Sequence, residues 1–223
     1  MVVSLLDELS SLLGNSFLTD QDDSWIWSLG NSIVFNVKDT RNLIDDSMLP
    51  DSSTPTRWCR FIPKKVNILI WRILRNRVPT RWNFSRKGVD INSLFCPNFS
   101  IIPETTNHLF WVCPLATALW MNIFKWVDPM YPTCNIIQDL YGWLDHYTSS
   151  SLHKLIMEAI VGVTIWTLWN FRNESIFGAQ ALLHSTLFDQ VVYYSFLWFS
   201  NRHRKATKSM NNWIQNPLIV SIL

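Results

Sequence analysis

The sequence predicts a mainly α-helical protein with one small N-terminal β-hairpin and a zinc-knuckle loop that has lost a ligand. Three observations carry that prediction. Apolar residues recur at helical spacing through most of the chain, whereas alternating aromatic and aliphatic residues occur at one place only, on either side of Gly30-Asn31. Cys96, His108 and Cys113 lie close together in a stretch rich in aromatic residues, and such thiol and imidazole groups suit a tetrahedral Zn²⁺.

A length of 223 residues with 48% hydrophobic content is ample for a packed core. The 13 Trp and 13 Phe are read first as fillers of helix–helix interfaces, because aromatic side chains bury large areas. The net charge of +2 conceals an uneven distribution. Residues 1–56 carry nine acids against two bases, while Arg57 to Lys87 holds ten Lys and Arg with no Asp or Glu. Such a block is the electrostatic footprint of a phosphate-backbone contact.

In chain order, Val2, Leu5, Leu6, Leu9, Leu12 and Leu13 predict an amphipathic helix stopped by Gly14-Asn15. An acidic loop, Asp20 to Asp23, leads to Trp25-Ile26-Trp27 and Ile33 to Val37, the two strands of the hairpin. A short helix over Thr40 to Ile44 and a Pro-, Asp-, Ser- and Thr-rich linker over Leu49 to Thr56 follow. Pro63 opens a helix whose Val66, Leu69, Ile70, Ile73 and Leu74 face a core and whose Lys64, Lys65, Arg72 and Arg75 face outward. Thr80 caps the next helix, which Arg86, Lys87 and Gly88 close. Arg77 and Arg81 lie between and complete the candidate nucleic-acid-binding set of Lys64, Lys65, Arg72, Arg75, Arg77, Arg81, Arg86 and Lys87.

Beyond Cys113, a helix is expected over Leu115 to Trp126, ended by Pro129 and Pro132. A short helix around Trp143 and a long apolar one over about Leu152 to Phe171 come next. The most apolar run, Ala159 to Trp169, is too short to span a bilayer. The N-terminal apolar stretch contains Asp7 and Glu8 and has no basic leader, unlike a signal peptide. The expected location is therefore intracellular, nuclear or cytoplasmic. The four Cys are irregularly spaced and suggest no disulfide framework.

The segment Cys96 to Trp120, with Glu104-Thr105 before the His and Ala116-x-x-x-Trp120 after the last Cys, resembles the reverse-transcriptase zinc-binding domain that closes the second reading frame of plant LINE-type retrotransposons. The resemblance extends to Asp23-x-Trp25-x-Trp27 and Phe35-x-Val37, to Pro63-x-Lys65-x-Asn67, and to Pro79-Thr80-Arg81-x-Asn83. It continues through Trp166-x-x-Trp169-x-x-Arg172-Asn173, Phe177-Gly178, Phe196-x-Trp198 and Trp213 with Asn216-Pro217. It implies a C-x2-C, H-x4-C ligand set, so Phe99 occupies the place of the fourth ligand. Three ligands plus water, or Cys59 or Cys134 completing the set, are the alternatives for the metal. Phe99 is expected to pack inward against Phe95, Leu109 or Phe110.

Three segments follow: residues 1–56 with the first helix, hairpin and acidic loop; 57–127 as the zinc-binding-like domain; and 128–223 as a C-terminal helical region. No aromatic-x-Asp-Asp motif of a polymerase palm, no endonuclease or RNase H motif, no G-x-S-x-G elbow and no phosphate-cradling Gly-rich loop is present. The expected function is non-catalytic binding of RNA or DNA with little sequence preference, beside the polymerase part of a parent polyprotein. The rival from another class is a helical protein-interaction module. An enzyme using the open metal position ranks third, since no carboxylate is placed as its general base. His146, His153, His184 and His203 are isolated and read as surface residues.

Overall fold

A computed structural model describes residues 6–8, 11, 14, 22, 27, 35–48, 57–127, 132–147, 150–178, 183–203 and 209–218. The chain divides into two compact units, Met1–Pro55 and Thr56–Leu223. In the first unit residues 6–8 and 11 are helical. The rest of the expected first helix, most of the hairpin and the whole linker over Leu49 to Thr56 lie outside the described residues. Of the hairpin's second strand, Phe35 and Asn36 are described and belong to no strand. Trp27 meets Phe35 edge to face at 4.8 Å. Helix α1, Val37–Met48, starts where the second strand was expected to end, because the Asn36 side chain caps it by accepting from the Lys38 N–H at 2.8 Å.

The second unit is built on helices: α2 (Lys64–Leu74), α3 (Arg81–Arg86), α4 (Pro114–Val127), α5 (Ile137–His146), α6 (Ser151–Phe177), α7 (Leu187–Arg202) and α8 (Met210–Gln215). The mainly helical expectation holds. Among the described residues the only β-structure is an antiparallel pair in the knuckle itself, β1 (Phe95–Cys96) with β2 (Phe99–Pro103).

Helix α2 follows its sequence pattern: Val66, Leu69, Ile70 and Ile73 are buried, and Lys64, Lys65 and Arg72 are exposed. Asn67 shares the buried face without wasting its amide. Its Oδ1 accepts from the Cys59 N–H and its Nδ2 donates to the Cys59 carbonyl, both at 2.9 Å, so it pairs with the incoming chain as a strand would. Helix α3 begins at Thr80, whose hydroxyl accepts from the Asn83 N–H. It ends in Gly88 at φ 75, with Gly88 and Val89 donating back to Ser85 and Phe84, the hydrogen bonds of a Schellman cap.

Helix α6 is the axis of the unit and packs against α2, α5 and α7. At 27 residues it runs past Phe171, where the sequence pattern suggested an end, and stops only at Gly178. By length and composition it could cross a membrane, unlike the apolar run read from the sequence alone. Its apolar residues instead fill the protein core: Ile156, Met157, Ile160, Val161, Val163 and Ile165 are all at 0% exposure. Ser150 caps its start by accepting from the His153 N–H.

Arg57 ties the start of this unit to its middle, reaching Asp145 of α5 at 2.7 Å and Glu158 of α6 at 2.8 Å. Burial alone would lower the guanidinium pKa, but these two carboxylates outweigh it and raise the pKa. One of the ten clustered bases is thereby spent on the fold. Helix α8 is held by Trp213, whose ring lies against Phe199 and Phe196 and whose Nε1 donates to Ser195 Oγ at 3.1 Å. Trp126 Nε1 in turn donates to the Trp213 and Ile214 carbonyls. Trp213→Ala should destabilise the unit by about 3–5 kcal/mol, the cost of emptying a buried aromatic site, as measured by urea unfolding.

Candidate metal centre

The three predicted ligands converge from two directions. Cys96 comes from β1, while His108 begins a short π-helix, His108–Val112, whose last turn delivers Cys113 to the start of α4. The Cys113 N–H donates to the His108 carbonyl at 2.8 Å, an i to i−5 bond that fixes the spacing of these two ligands. The π-helix is steadied from both ends. Thr105 Oγ1 accepts from the His108 N–H at 3.0 Å, and Trp120 Nε1 donates to the Phe110 carbonyl at 2.8 Å. The Glu-Thr pair and the Ala-x-x-x-Trp pattern of the sequence therefore support this turn.

Cys96, His108 and Cys113 are 1, 2 and 2% exposed, and their ligand atoms all lie within 4.8 Å of one another. Donors around a tetrahedral zinc lie roughly 4 Å apart, so the cluster is of the right size. Neither ring nitrogen of the buried His108 finds a partner of good hydrogen-bond geometry, although the ring lies close enough to the Cys96 thiol to lower it. A buried imidazole without such a partner is costly, and a metal held by one of its nitrogens would relieve that cost. The donor set, its size and the orphaned ring all fit zinc.

The two thiols shift each other in opposite directions. Cys113 is lowered below the ordinary thiol range, first by the hydrogen bond from Cys96 and then by the Leu115 and Ala116 N–H groups at the start of α4, with burial opposing. Cys96, donating that hydrogen bond and buried, is raised above the ordinary thiol range. Metal binding needs both thiols deprotonated, which the lowered Cys113 favours and the raised Cys96 opposes.

The fourth position is where the structure departs from expectation. The register places Phe99 opposite Cys96 across the hairpin, which explains why a ligand at that spacing would reach the same ion. The phenyl ring does not turn inward. Phe99 is 40% exposed and Phe95 45%, so the inward apolar cluster with Leu109 and Phe110 is not formed. Phe99 instead borders a cavity of about 410 Å³ that Cys113, Leu119, His184 and Phe188 also line. Among the described residues, the close ligand group contains neither Cys59 nor Cys134. Burial pushes both of those thiols up to about 11, so they stay protonated.

The predicted basic residues remain outside the core. Lys64, Lys65, Arg72, Arg77, Arg86 and Lys87 are exposed, and Arg75 and Arg81 half-buried. Arg81 is partly engaged, donating from Nη1 to the Phe95 carbonyl at 2.6 Å. Lys65 lies over the Trp166 ring at 4.4 Å and Arg75 over Trp71 at 5.0 Å.

One residue pair escaped the sequence reading. Glu104, fully buried, receives Arg172 Nε on one carboxylate oxygen at 2.6 Å and Nη2 on the other at 2.8 Å. The Arg81 N–H donates to the same carboxylate at 2.7 Å. Both residues were visible in the sequence as parts of separate motifs 68 positions apart, with nothing to pair them.

Residues 35–120 match the family model described as zinc-binding in reverse transcriptase. This match runs from the approach to α1 to the middle of α4, and contains all three ligands and all eight candidate basic residues. No curated protein and no solved structure matches the chain.

Phe99→Cys should add the missing thiolate and raise zinc content towards one ion per chain. Metal analysis of the purified variant checks this, together with a thermal melt that becomes sensitive to chelator. Parent protein that already holds one zinc until it unfolds would mean that three ligands suffice here.

Proposed function

We propose that the chain is a non-catalytic nucleic-acid-binding module from the C-terminal region of a plant LINE-type reverse transcriptase, acting inside the cell beside the polymerase part of its parent polyprotein. The match over residues 35–120 supports the zinc-binding, reverse-transcriptase-associated part of this reading. The observation that carries the rest is the state of the basic block. Among the described residues, Lys64, Lys65, Arg72, Arg77, Arg86 and Lys87 enter no ion pair, whereas Arg57 and Arg172 do. Unneutralised charge on one side of α2 and around α3 favours a polyanion, and it attracts a phosphate backbone without regard to sequence.

On this reading the module holds template RNA or target DNA, and the catalytic carboxylates belong to another part of the polyprotein. The rival reading, a helical protein-interaction module, draws on Phe95, Ile101 and Ile102 of the hairpin, which are 45, 76 and 42% exposed. Such a patch suits contact with an adjoining protein domain.

Salt separates the two. Binding of a labelled RNA should weaken steeply with salt, with a slope of about −0.7 in log–log form for each phosphate neutralised on a single strand. The Lys64→Glu, Lys65→Glu, Arg72→Glu, Arg75→Glu variant should lose binding altogether in a fluorescence anisotropy titration. Equal binding by variant and parent at low salt would leave the basic face a solvated surface.

A further inference from the structure

The ends of α2 and α3 border an open cleft of about 320 Å³, lined by Arg75, Asn76, Arg77, Asn83, Arg86 and Lys87. Its wall carries four bases and no carboxylate. We propose that it is a subsite for single-stranded nucleic acid, in which these bases hold one backbone phosphate and Trp82 receives an adjacent base. The proposal rests on the nucleic-acid reading above and narrows it to a strand type and a place.

Asn76, at φ 50, is the left-handed residue of a Schellman cap, with the Asn76 and Arg77 N–H groups donating back to the Ile73 and Arg72 carbonyls, and there the backbone reverses after α2. Arg75 and Arg77 flank that reversal. The left-handed Gly88 ends α3 just after Arg86 and Lys87, leaving them at the rim. Asn83, 7% exposed, locks the walls together. Its Nδ2 donates to the Val78 carbonyl at 2.9 Å and the Asn76 carbonyl at 3.1 Å, while Thr106 donates to Asn76 Oδ1 at 2.6 Å. The asparagines therefore shape the cleft, and Arg77, Arg86 and Lys87 on its wall enter no ion pair among the described residues.

The bland account is that bases at a helix C-terminus offset its partial negative charge. That explains one cation within each last turn. It does not explain Arg77, which lies beyond α2, or the gathering of Arg77, Arg86 and Lys87 around one concavity. A phosphate diester removes the repulsion among them.

Strand type follows from Trp82. It stands four residues before Arg86 on α3, which puts the two side chains on the same face, and it is 39% exposed. Bases inside a duplex are stacked on each other and cannot reach such a ring. Those of a single strand can, and stacking on an aromatic side chain is worth about tenfold or more in affinity.

The test uses the full chain and fluorescence anisotropy with three probes: labelled oligouridylate, labelled oligothymidylate and a mixed-sequence DNA duplex. Trp82→Ala should weaken both single strands by about tenfold and leave the duplex unchanged, while Trp82→Phe keeps most of the affinity. Neutralising the rim with Arg77→Gln, Arg86→Gln and Lys87→Gln should weaken single strands and reduce their salt slope by about the value for one phosphate. These residues are exposed, so a parental thermal melt is expected for each variant. If the parent binds the single strands and both sets of variants bind them equally well, the subsite is overturned and the broader reading stands. If the parent binds none of the three probes, the nucleic-acid reading itself fails.

Discussion

The larger unit depends on a carboxylate that never meets water. Glu104 accepts three charge-assisted or backbone hydrogen bonds, two from the Arg172 guanidinium and one from the first N–H of α3. Through them the end of β2, the start of α3 and the last turns of α6 are held at one point. The Trp82 N–H adds a fourth link, to the Glu104 carbonyl. Burying two such ions costs several kcal/mol each, and only complete hydrogen bonding makes the arrangement tolerable. The fork geometry of arginine supplies that completeness, and lysine could not.

This constraint bears on the metal. Glu104 lies four residues before His108, so anchoring it anchors the entry to the π-helix that carries His108 and Cys113. Around it Trp169 stacks with Phe110 of the same turn at 6.3 Å and lies under Arg172 at 5.1 Å. An ion pair and aromatic packing therefore hold the elements that carry the ligands. That explains how a chain with Phe99 in the fourth position keeps the geometry of the other three. Zinc, when bound, would satisfy His108 and displace the Cys96 proton to solvent.

Much of this was legible in the sequence. Helical periodicity gave α2 and α4, the cap residues Thr80 and Gly88 bounded α3, and Cys and His spacing identified the ligand cluster. The failures have physical causes. A strand pair as short as β1 and β2 has too few residues for an alternating pattern, and Pro97-Asn98 reads as loop. The length of α6 past Phe171 was hidden because Asn173, Glu174 and Ser175 are polar, yet they prolong a helix already nucleated by its buried half. Phe99 was expected inside by its hydrophobicity, but at 40% exposure it stands at the surface beside a cavity. Pairing of Glu104 with Arg172 is a tertiary fact with no local signal. Likewise, sequence marked Arg57 as one more base of the basic block, and only the fold shows it spent on Asp145 and Glu158.

A double-mutant cycle on Glu104→Gln and Arg172→Met, followed by urea unfolding with zinc and again with chelator, addresses the role of the pair directly. Each single change should cost about 3–5 kcal/mol by stranding a buried partner, the double variant should lose much less than the sum, and the coupling should be the same in both conditions. Single changes costing under about 1 kcal/mol, or a coupling that vanishes in chelator, would show that the metal, and not the ion pair, organises this part of the fold.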